Sequence, residues 1–138
     1  MVYSYNVTTQ NLPVNGQAVF TVDQIKTGCT VTHTEGTPNF LLRRQGFYFV
    51  TVTANVAATT AGTDPVTLTL YNGTTALTAA TASATSTADT DIVNLTINAI
   101  VEVEPSCCVV DNNVRLNVVN TGVAATVSNI AITITKIA

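Results

Sequence analysis

The residues whose types could support catalysis are few, and the first of them is the single histidine. His33 lies within the short alternating run 30–34. A histidine acts as a general base only with a nucleophile beside it and a third group that orients it. No serine or cysteine arrangement close to His33 in the sequence suggests this. We therefore expect a surface or loop histidine without a catalytic role.

Three cysteines are the next candidates, either for a disulfide or for a metal site. Cys29, Cys107 and Cys108 are an odd number, which does not fit the paired framework of a disulfide-rich secreted domain. We expect buried or reduced thiols, although a disulfide between Cys29 and one of the pair stays open. With His33 these cysteines would supply four zinc ligands, but the adjacent pair lacks the usual spacer of two to four residues. We expect no metal centre and no cofactor.

Acidic residues that could bind a metal or move a proton occur in two places. Asp64, Asp89 and Asp91 could together form an oxygen cage for calcium, but they fall in threonine-rich loops where acids are usually solvated. Glu102 and Glu104 lie two residues apart and therefore on one face of a strand. Paired carboxylates can perform acid–base catalysis, yet an outward polar edge explains them more simply. The sequence thus predicts no enzyme and leaves calcium binding open.

The charge of the chain excludes a nucleic-acid partner. Only 9% of the 138 residues are charged, against roughly a quarter in an average soluble domain. The net charge is −3, and Arg43-Arg44 is the one adjacent basic pair, so no basic track exists for phosphates. This pair could fix a subunit contact or bind an anion. A weakly charged surface favours contact between proteins.

The chain also lacks the segments that would direct it to a membrane. No window approaches the roughly 18 uninterrupted apolar residues of a membrane helix. The first residues have neither the basic region nor the apolar region of a secretory signal. We expect a protein that is made and assembled in a cytoplasm, unless a leader has been removed.

The elements that must position these residues are β-strands. Threonine and valine are frequent, while strong helix formers are scarce. Short alternating runs separated by turn residues recur along the chain, which is typical of a two-sheet antiparallel sandwich. We expect about nine or ten strands, which include residues 17–25, 30–34, 40–44, 46–56, 66–71, 92–104, 114–120 and 127–137.

Residues 74–90 are a low-complexity run of threonine, alanine and serine. The run fits either a strand edge with a mobile loop or a solvated loop. In a strand, its small side chains would let another chain approach closely.

The strand over 46–56 has two usable faces. Alternation places Tyr48 and Val50 on one face, and Phe47, Phe49 and Thr51 on the other. The first is an ordinary core face. The second begins with two large aromatic side chains, which an isolated sheet in water would not favour. The pattern therefore predicts a core on one side and a partner subunit on the other.

The order of these runs resembles the C1q/TNF-like jelly roll, particularly its prokaryotic and phage forms, from about residue 13 to 137. Those forms include head domains of spore-surface glycoproteins and small virion appendage proteins. The residues that carry the resemblance are Gln17-Ala18-Val19-Phe20, Phe40-Leu41-Leu42, Gly46-x-Tyr48-x-Val50, Asn72-Gly73, 114–120 and Ile130-x-Ile132-x-Ile134.

The resemblance implies a homotrimer in which the strand after Gly46-x-Tyr48 lies near the three-fold axis. Phe49 and Thr51 would then face that axis, with Phe47 close by. It also implies a short N-terminal arm over 1–12, followed by a single jelly-roll domain over 13–138.

The function that the resemblance implies is a non-enzymatic structural protein on a virion surface, such as a bacteriophage capsid decoration, head-fibre or collar component. Its partners would be its own copies and other virion proteins. A receptor- or glycan-binding tip, or an adhesin on a bacterial or spore surface, is the alternative. An enzyme on such a scaffold, for example a cupin, would need a cluster of histidines, and the chain has one.

Overall fold

The computed structural model describes residues 1–60, 62–105 and 113–138. These residues form eleven strands and no helix, so none is long and apolar enough to cross a membrane. The strands are β1 (Val2–Asn6), β2 (Gln10–Leu12), β3 (Val22–Lys26), β4 (Val31–His33), β5 (Phe40–Leu42), β6 (Gly46–Ala58), β7 (Pro65–Asn72), β8 (Thr75–Thr85), β9 (Val93–Val103), β10 (Val114–Asn120) and β11 (Ala125–Lys136).

The strands form two antiparallel sheets packed face to face. The six-stranded sheet has the order β3-β1-β11-β6-β9, with β2 also paired to β11. The five-stranded sheet has the order β4-β5-β10-β7-β8. From β5 onwards the chain passes repeatedly between the sheets, as in a jelly roll. The predicted all-β, two-sheet jelly-roll sandwich is confirmed, with eleven strands rather than nine or ten.

Residues 1–12, which the sequence assigns to an arm, hold two strands of the six-stranded sheet. β1 lies between β11 and β3, and β2 pairs with the start of β11. The inward positions of β1 include Ser4 and Asn6, which are buried and bonded to Asp23 and to the carbonyl of Val19. Because these inward residues are polar, the alternation of apolar residues that marks a strand is absent from this segment.

The core lies between the two sheets and is built by alternation along the long strands. On β6, Tyr48, Val50 and Val52 are buried, as the sequence predicts, and β11 adds Ile132 and Ile134 beside them. A fully buried side chain of this size contributes roughly 1.5–3 kcal/mol. Burial of this face therefore fixes the register of β6, since a one-residue slip would turn it towards water.

The start of β6 is fixed by two residues of the Gly46-x-Tyr48 motif. Gly46 has a φ of +131°, and a Cβ atom there would overlap the carbonyl oxygen of Ala138. The Tyr48 hydroxyl donates a hydrogen bond to the carbonyl of Arg44 at 2.7 Å. Burial raises the pKa of the Tyr48 phenol, although this bond and the Arg44 charge oppose the rise.

Residues 75–85 of the low-complexity run form β8, an edge strand paired with β7, and residues 86–90 follow it as a loop. The run is therefore a strand edge with a loop rather than a loop throughout. The turn between β7 and β8 centres on Gly73, whose φ is +61°. Hydroxyl pairs bind the two strands, such as Thr69 with Thr81 at 2.9 Å and Thr67 with Ser83 at 2.7 Å. Threonine therefore supplies both β-propensity and cross-strand hydrogen bonds here.

His33 is not on the surface: the prediction of a surface or loop histidine is wrong. Its side chain is fully buried and stacks on Phe40, with the ring centroids 4.0 Å apart. Nδ1 lies 2.5 Å from Oδ1 of Asp23, and Nε2 lies 2.8 Å from the carbonyl oxygen of Thr37. Both ring nitrogens of His33 therefore lie within hydrogen-bond distance of an oxygen atom.

Asp23 is the centre of this buried cluster, which joins β3 of one sheet to β4 of the other. Its carboxylate accepts from Ser4 at 2.5 Å and pairs with Lys26 at 3.5 Å. Lys26 also donates to the carbonyl of His33, and Glu35 accepts from the backbone N–H of Asp23. The cluster closes the β3/β4 edge of the sandwich with polar contacts. Asp23 lies 19 residues from Ser4 and ten from His33, so no short sequence motif shows the cluster.

The cluster predicts a loss of stability in acid. Burial raises the pKa of Asp23, but the hydrogen bonds from Ser4 and His33 and the charges of His33 and Lys26 outweigh it, so the pKa lies below its ordinary value of 3.8. A depressed pKa contributes stability above the unfolded value that is lost as pH falls below it. We expect Asp23→Asn to lower the free energy of unfolding by about 2 kcal/mol at pH 7.

Urea unfolding of Asp23→Asn and the parent chain from pH 7 to pH 2 measures this difference. It should shrink as the pH falls through about 4. If the difference in unfolding free energy does not change with pH, the ionised Asp23 carboxylate is not the source of the stability.

The geometry at Gly46 predicts that Gly46→Ala is destabilising, by roughly 2 kcal/mol, because a side chain is strained at this φ and meets the backbone. Gly62→Ala is the matched control, since a Cβ there has no neighbour within 4 Å. Thermal unfolding at one fixed protein concentration compares them. Equal melting temperatures for the two variants would contradict the account of this motif.

Candidate subunit interface

The three residues predicted to form an interface lie together on the outer face of the six-stranded sheet. Phe47 and Phe49 of β6 are 44% and 40% exposed, and Thr51 is half-buried. They point outwards because they alternate with the buried residues of the same strand. β6 lies between β11 and β9, so residues of these two strands flank the three side chains.

Two isoleucines extend this surface on the neighbouring segments. Ile100 of β9 is the register partner of Phe49 and is 65% exposed. Ile137 follows β11; its N–H donates to the carbonyl of Phe47 at 2.8 Å, and it is 53% exposed. We name Phe47, Phe49, Ile100 and Ile137 the apolar patch. Contiguous exposed side chains of this size mark contact surfaces in soluble proteins.

Ile100 is an interface candidate that the sequence alone does not single out, although its signal is present. The outward residues of β9 are otherwise polar, namely Asn94, Thr96, Asn98 and Glu102. One large apolar residue in a polar row becomes informative only when the register places it opposite Phe49. That register depends on pairing between β6 and β9, which no local pattern specifies.

On the Thr51 side of the apolar patch the sheet surface carries mainly small side chains, whereas the exposed Glu102 lies beside Phe47. Thr51 donates a hydrogen bond to Asn98 at 3.2 Å across β6 and β9. Thr133 pairs with Thr51, and Ala131 pairs with Thr53, on the β11 side. Small side chains leave the sheet flat, so another chain can approach it closely.

At the β8/β9 edge the two sheets leave an opening, which we name the edge groove. β8 and β9 are the terminal strands of their sheets. The groove has a volume of about 700 Å³, and Leu77, Ala80 and Ala99 are among its lining residues. Ile100 also lines it, so the apolar surface continues from the sheet face around the edge. An uncovered edge of this kind is a place where chains associate.

The other candidate residues are not assembled into a reactive site. Asp23, His33 and Ser4 are the residue types of a serine hydrolase, but the Ser4 hydroxyl donates to the aspartate rather than to the histidine. All three side chains are shielded from solvent. The cluster therefore has the geometry of a structural contact.

The residues considered as metal ligands are likewise far apart or already hydrogen-bonded to other groups. Both nitrogens of His33 have partners, so neither is available to zinc. Cys29 is exposed with a free thiol 4.0 Å from Arg44, while Cys107 and Cys108 lie outside the described residues. The Asp91 carboxylate accepts from the N–H and hydroxyl of Thr87. Over 1–60, 62–105 and 113–138, no three His, Cys, Asp or Glu residues are grouped to hold a metal.

Comparison with known proteins identifies the fold. No protein-family model and no curated protein matches the chain. Among solved structures, PRD1 vertex protein P5 is 18% identical, with 99% of this chain and 96% of that chain covered and a TM-score of 0.61. Eiger TNF from S. frugiperda is 13% identical, with 99% and 92% covered and a TM-score of 0.69. The chain therefore has the C1q/TNF-like jelly-roll fold that its motifs predict.

Proposed function

We propose that this chain is a non-enzymatic structural protein that forms a homotrimer on a virion surface, as a bacteriophage capsid decoration, head-fibre or collar component. The observation that carries the proposal is the apolar patch on the outer face of the six-stranded sheet. Phe47, Phe49 and Thr51 are the interface residues expected from the sequence, and the structure adds Ile100 and Ile137 beside them.

The energetics favour association. Each large side chain of the patch is roughly half exposed, and its full burial would contribute on the order of 1 kcal/mol. Three copies of the patch would meet at a three-fold axis, with the small residues around Thr51 and Thr133 allowing close approach. The low charge of the chain adds little repulsion between copies.

The edge groove suggests how the copies pack. The patch and the groove are different surfaces joined at Ile100, so a contact between the face of one copy and the edge of the next is heterologous. Heterologous contacts form closed rings when the rotation between copies closes. The trimer implied by the family resemblance is such a ring. In it the backbone edges of β8 and β9 would be covered.

The virion location rests on the fold and on the resemblance of the sequence motifs. A phage vertex protein shares this jelly roll, and the exposed surface is weakly charged, which suits dense packing among other structural proteins. The protein would be made in the host cytoplasm and assembled there with its virion partners. Display on a bacterial or spore surface is the alternative. Immunoblotting of purified particles against cell-envelope fractions separates the two.

The interface predicts that Phe49→Asp abolishes the oligomer. A carboxylate at the centre of the patch would be buried without a partner in the trimer, but it is solvated in the monomer. Leu41→Asp is the matched control, since Leu41 is a half-buried residue on the outer face of the five-stranded sheet. Sedimentation velocity should show a monomer for Phe49→Asp and the parent mass for Leu41→Asp. A trimer in the Phe49 variant would refute the interface.

The edge groove predicts a second way to break the trimer. Ala79 lines the groove and is exposed, so Ala79→Glu leaves the monomer intact while it blocks a docked neighbour. We expect the dissociation constant of the trimer to rise at least tenfold, measured by sedimentation equilibrium. Thr85→Glu, at the other end of β8 and outside the groove, is the control. A dissociation constant for Ala79→Glu equal to that of the parent would mean that the edge groove lies outside the interface.

A further inference from the structure

A second groove lies on the outer face of the six-stranded sheet, towards the end opposite to the apolar patch. We name it the amide groove. Its volume is about 470 Å³, which is within the range of small-ligand sites. Asn55 marks its position on β6, six residues from Phe49 and hence about 20 Å away along the strand. Its lining residues come from β1 and the residue that follows it, and from β3, β6, β9 and β11; they include Tyr3, Tyr5, Val7, Gln24, Thr53, Asn55, Asn94 and Asn129.

Two tyrosines form one wall of the amide groove. Tyr3 and Tyr5 occupy alternate positions of β1, so both point outwards, and their ring centroids are 6.2 Å apart at an angle of 45°. Their register partners are the small residues Thr133 and Ala131 on β11, and Val22 and Ile25 on β3. Both tyrosines are half-buried and line the groove, so the exposed part of each ring can contact a ligand.

Carboxamides form the floor in a row across three strands. Asn55 of β6 pairs in register with Asn94 of β9 on one side and with Asn129 of β11 on the other. Asn94 donates to the Asn55 oxygen at 2.9 Å and accepts from Thr96. Within the described chain, no side-chain hydrogen bond uses the Asn55 amide nitrogen, the Asn129 amide or the Gln24 amide. Free donors and acceptors thus converge on one space.

The lining carries no charged side chain. The nearest carboxylate in the sequence, Asp23, belongs to the buried cluster between β3 and β4. A site without fixed charge disfavours binding of an anionic or cationic ligand, since the ligand would lose hydration without gaining a counter-charge. The groove therefore suits a neutral polar ligand.

We propose that the amide groove binds a neutral carbohydrate. Each sugar hydroxyl both donates and accepts a hydrogen bond, which matches carboxamides that offer one NH₂ group and one oxygen each. The apolar C–H face of a sugar ring can pack on the faces of Tyr3 and Tyr5, as apolar groups do on aromatic rings. A neutral sugar can therefore both pack on the tyrosines of the wall and hydrogen-bond to the carboxamides of the floor.

A second copy of the chain fits this groove less well than it fits the apolar patch. The centre of a protein–protein interface is depleted of polar groups that lack partners, and burial of an unpaired amide costs about 1–3 kcal/mol. The amide groove offers several such groups, whereas the patch offers four large apolar side chains. Assembly and ligand binding therefore use opposite ends of one sheet.

The test is titration of the isotope-labelled protein with neutral trisaccharides, namely maltotriose, cellotriose and N-acetylchitotriose, followed by backbone NMR. A uronic-acid trisaccharide is the charged counterpart. We expect at least one neutral sugar to shift resonances around Tyr5, Asn55 and Asn129, and the uronic-acid sugar to shift none. Absence of these shifts for all three neutral sugars at about 10 mM overturns the proposal.

Two variants make the test specific. Asn129→Ala removes an exposed amide, so it does not disturb the fold, and Tyr5→Ala removes part of the wall. Each should weaken binding at least tenfold, whereas Tyr71→Ala, a tyrosine of the other sheet, should leave it unchanged. Unchanged affinity in Asn129→Ala overturns the proposal.

The same titration on Phe49→Asp separates this proposal from the proposed trimer. Sugar binding by that variant supports the carbohydrate site, whatever the oligomeric state of the variant. Nitration of Tyr3 and Tyr5 by tetranitromethane then reports what covers the groove. Protection in the parent oligomer but not in the Phe49 variant would show that a second copy occupies it, which overturns the carbohydrate assignment.

Discussion

A strand in the middle of a sheet has two faces, and β6 carries large apolar side chains on both. The inner face is fixed by the core, because Tyr48 and the valines that follow it are fully buried between the sheets. Alternation then leaves no choice for Phe47 and Phe49, which must point outwards. A slip of one residue would expose the core face instead. The outer apolar surface is thus a consequence of the register that builds the sandwich.

The two edges of the sandwich differ in polarity, and this difference supports the proposed mode of association. At the β3/β4 edge, Asp23 and Lys26 of β3 form an ion pair with each other, and both hydrogen-bond to His33 of β4 in the other sheet. At the β8/β9 edge, an apolar groove lined by leucine and alanine stays open and reaches the patch through Ile100. A neighbouring copy would find apolar surface at the second edge and paired polar groups at the first.

The sequence was sufficient to predict which residues of a strand point inwards wherever one face of the strand is uniformly apolar. The inward residues of β6 and β9 follow from alternation alone, as does the outward position of Phe49. It was insufficient to predict strands whose inward residues are polar. Ser4 and Asn6 are buried polar residues of β1, so the apolar alternation that marks a strand is absent there. His33 is likewise inward, and its partner Asp23 comes from a strand of the other sheet. Contacts between sheets join residues that are distant in sequence, so local patterns do not contain them.

The central claim is that the apolar patch on the outer face of the six-stranded sheet is covered by other copies of the chain. Light scattering of the purified protein on a sizing column tests it most directly. One chain has a mass of 14.4 kDa, so the account predicts a single peak at three times this mass, about 43 kDa. A stable monomer of 14.4 kDa at micromolar concentration would contradict the account and leave the apolar patch exposed to water.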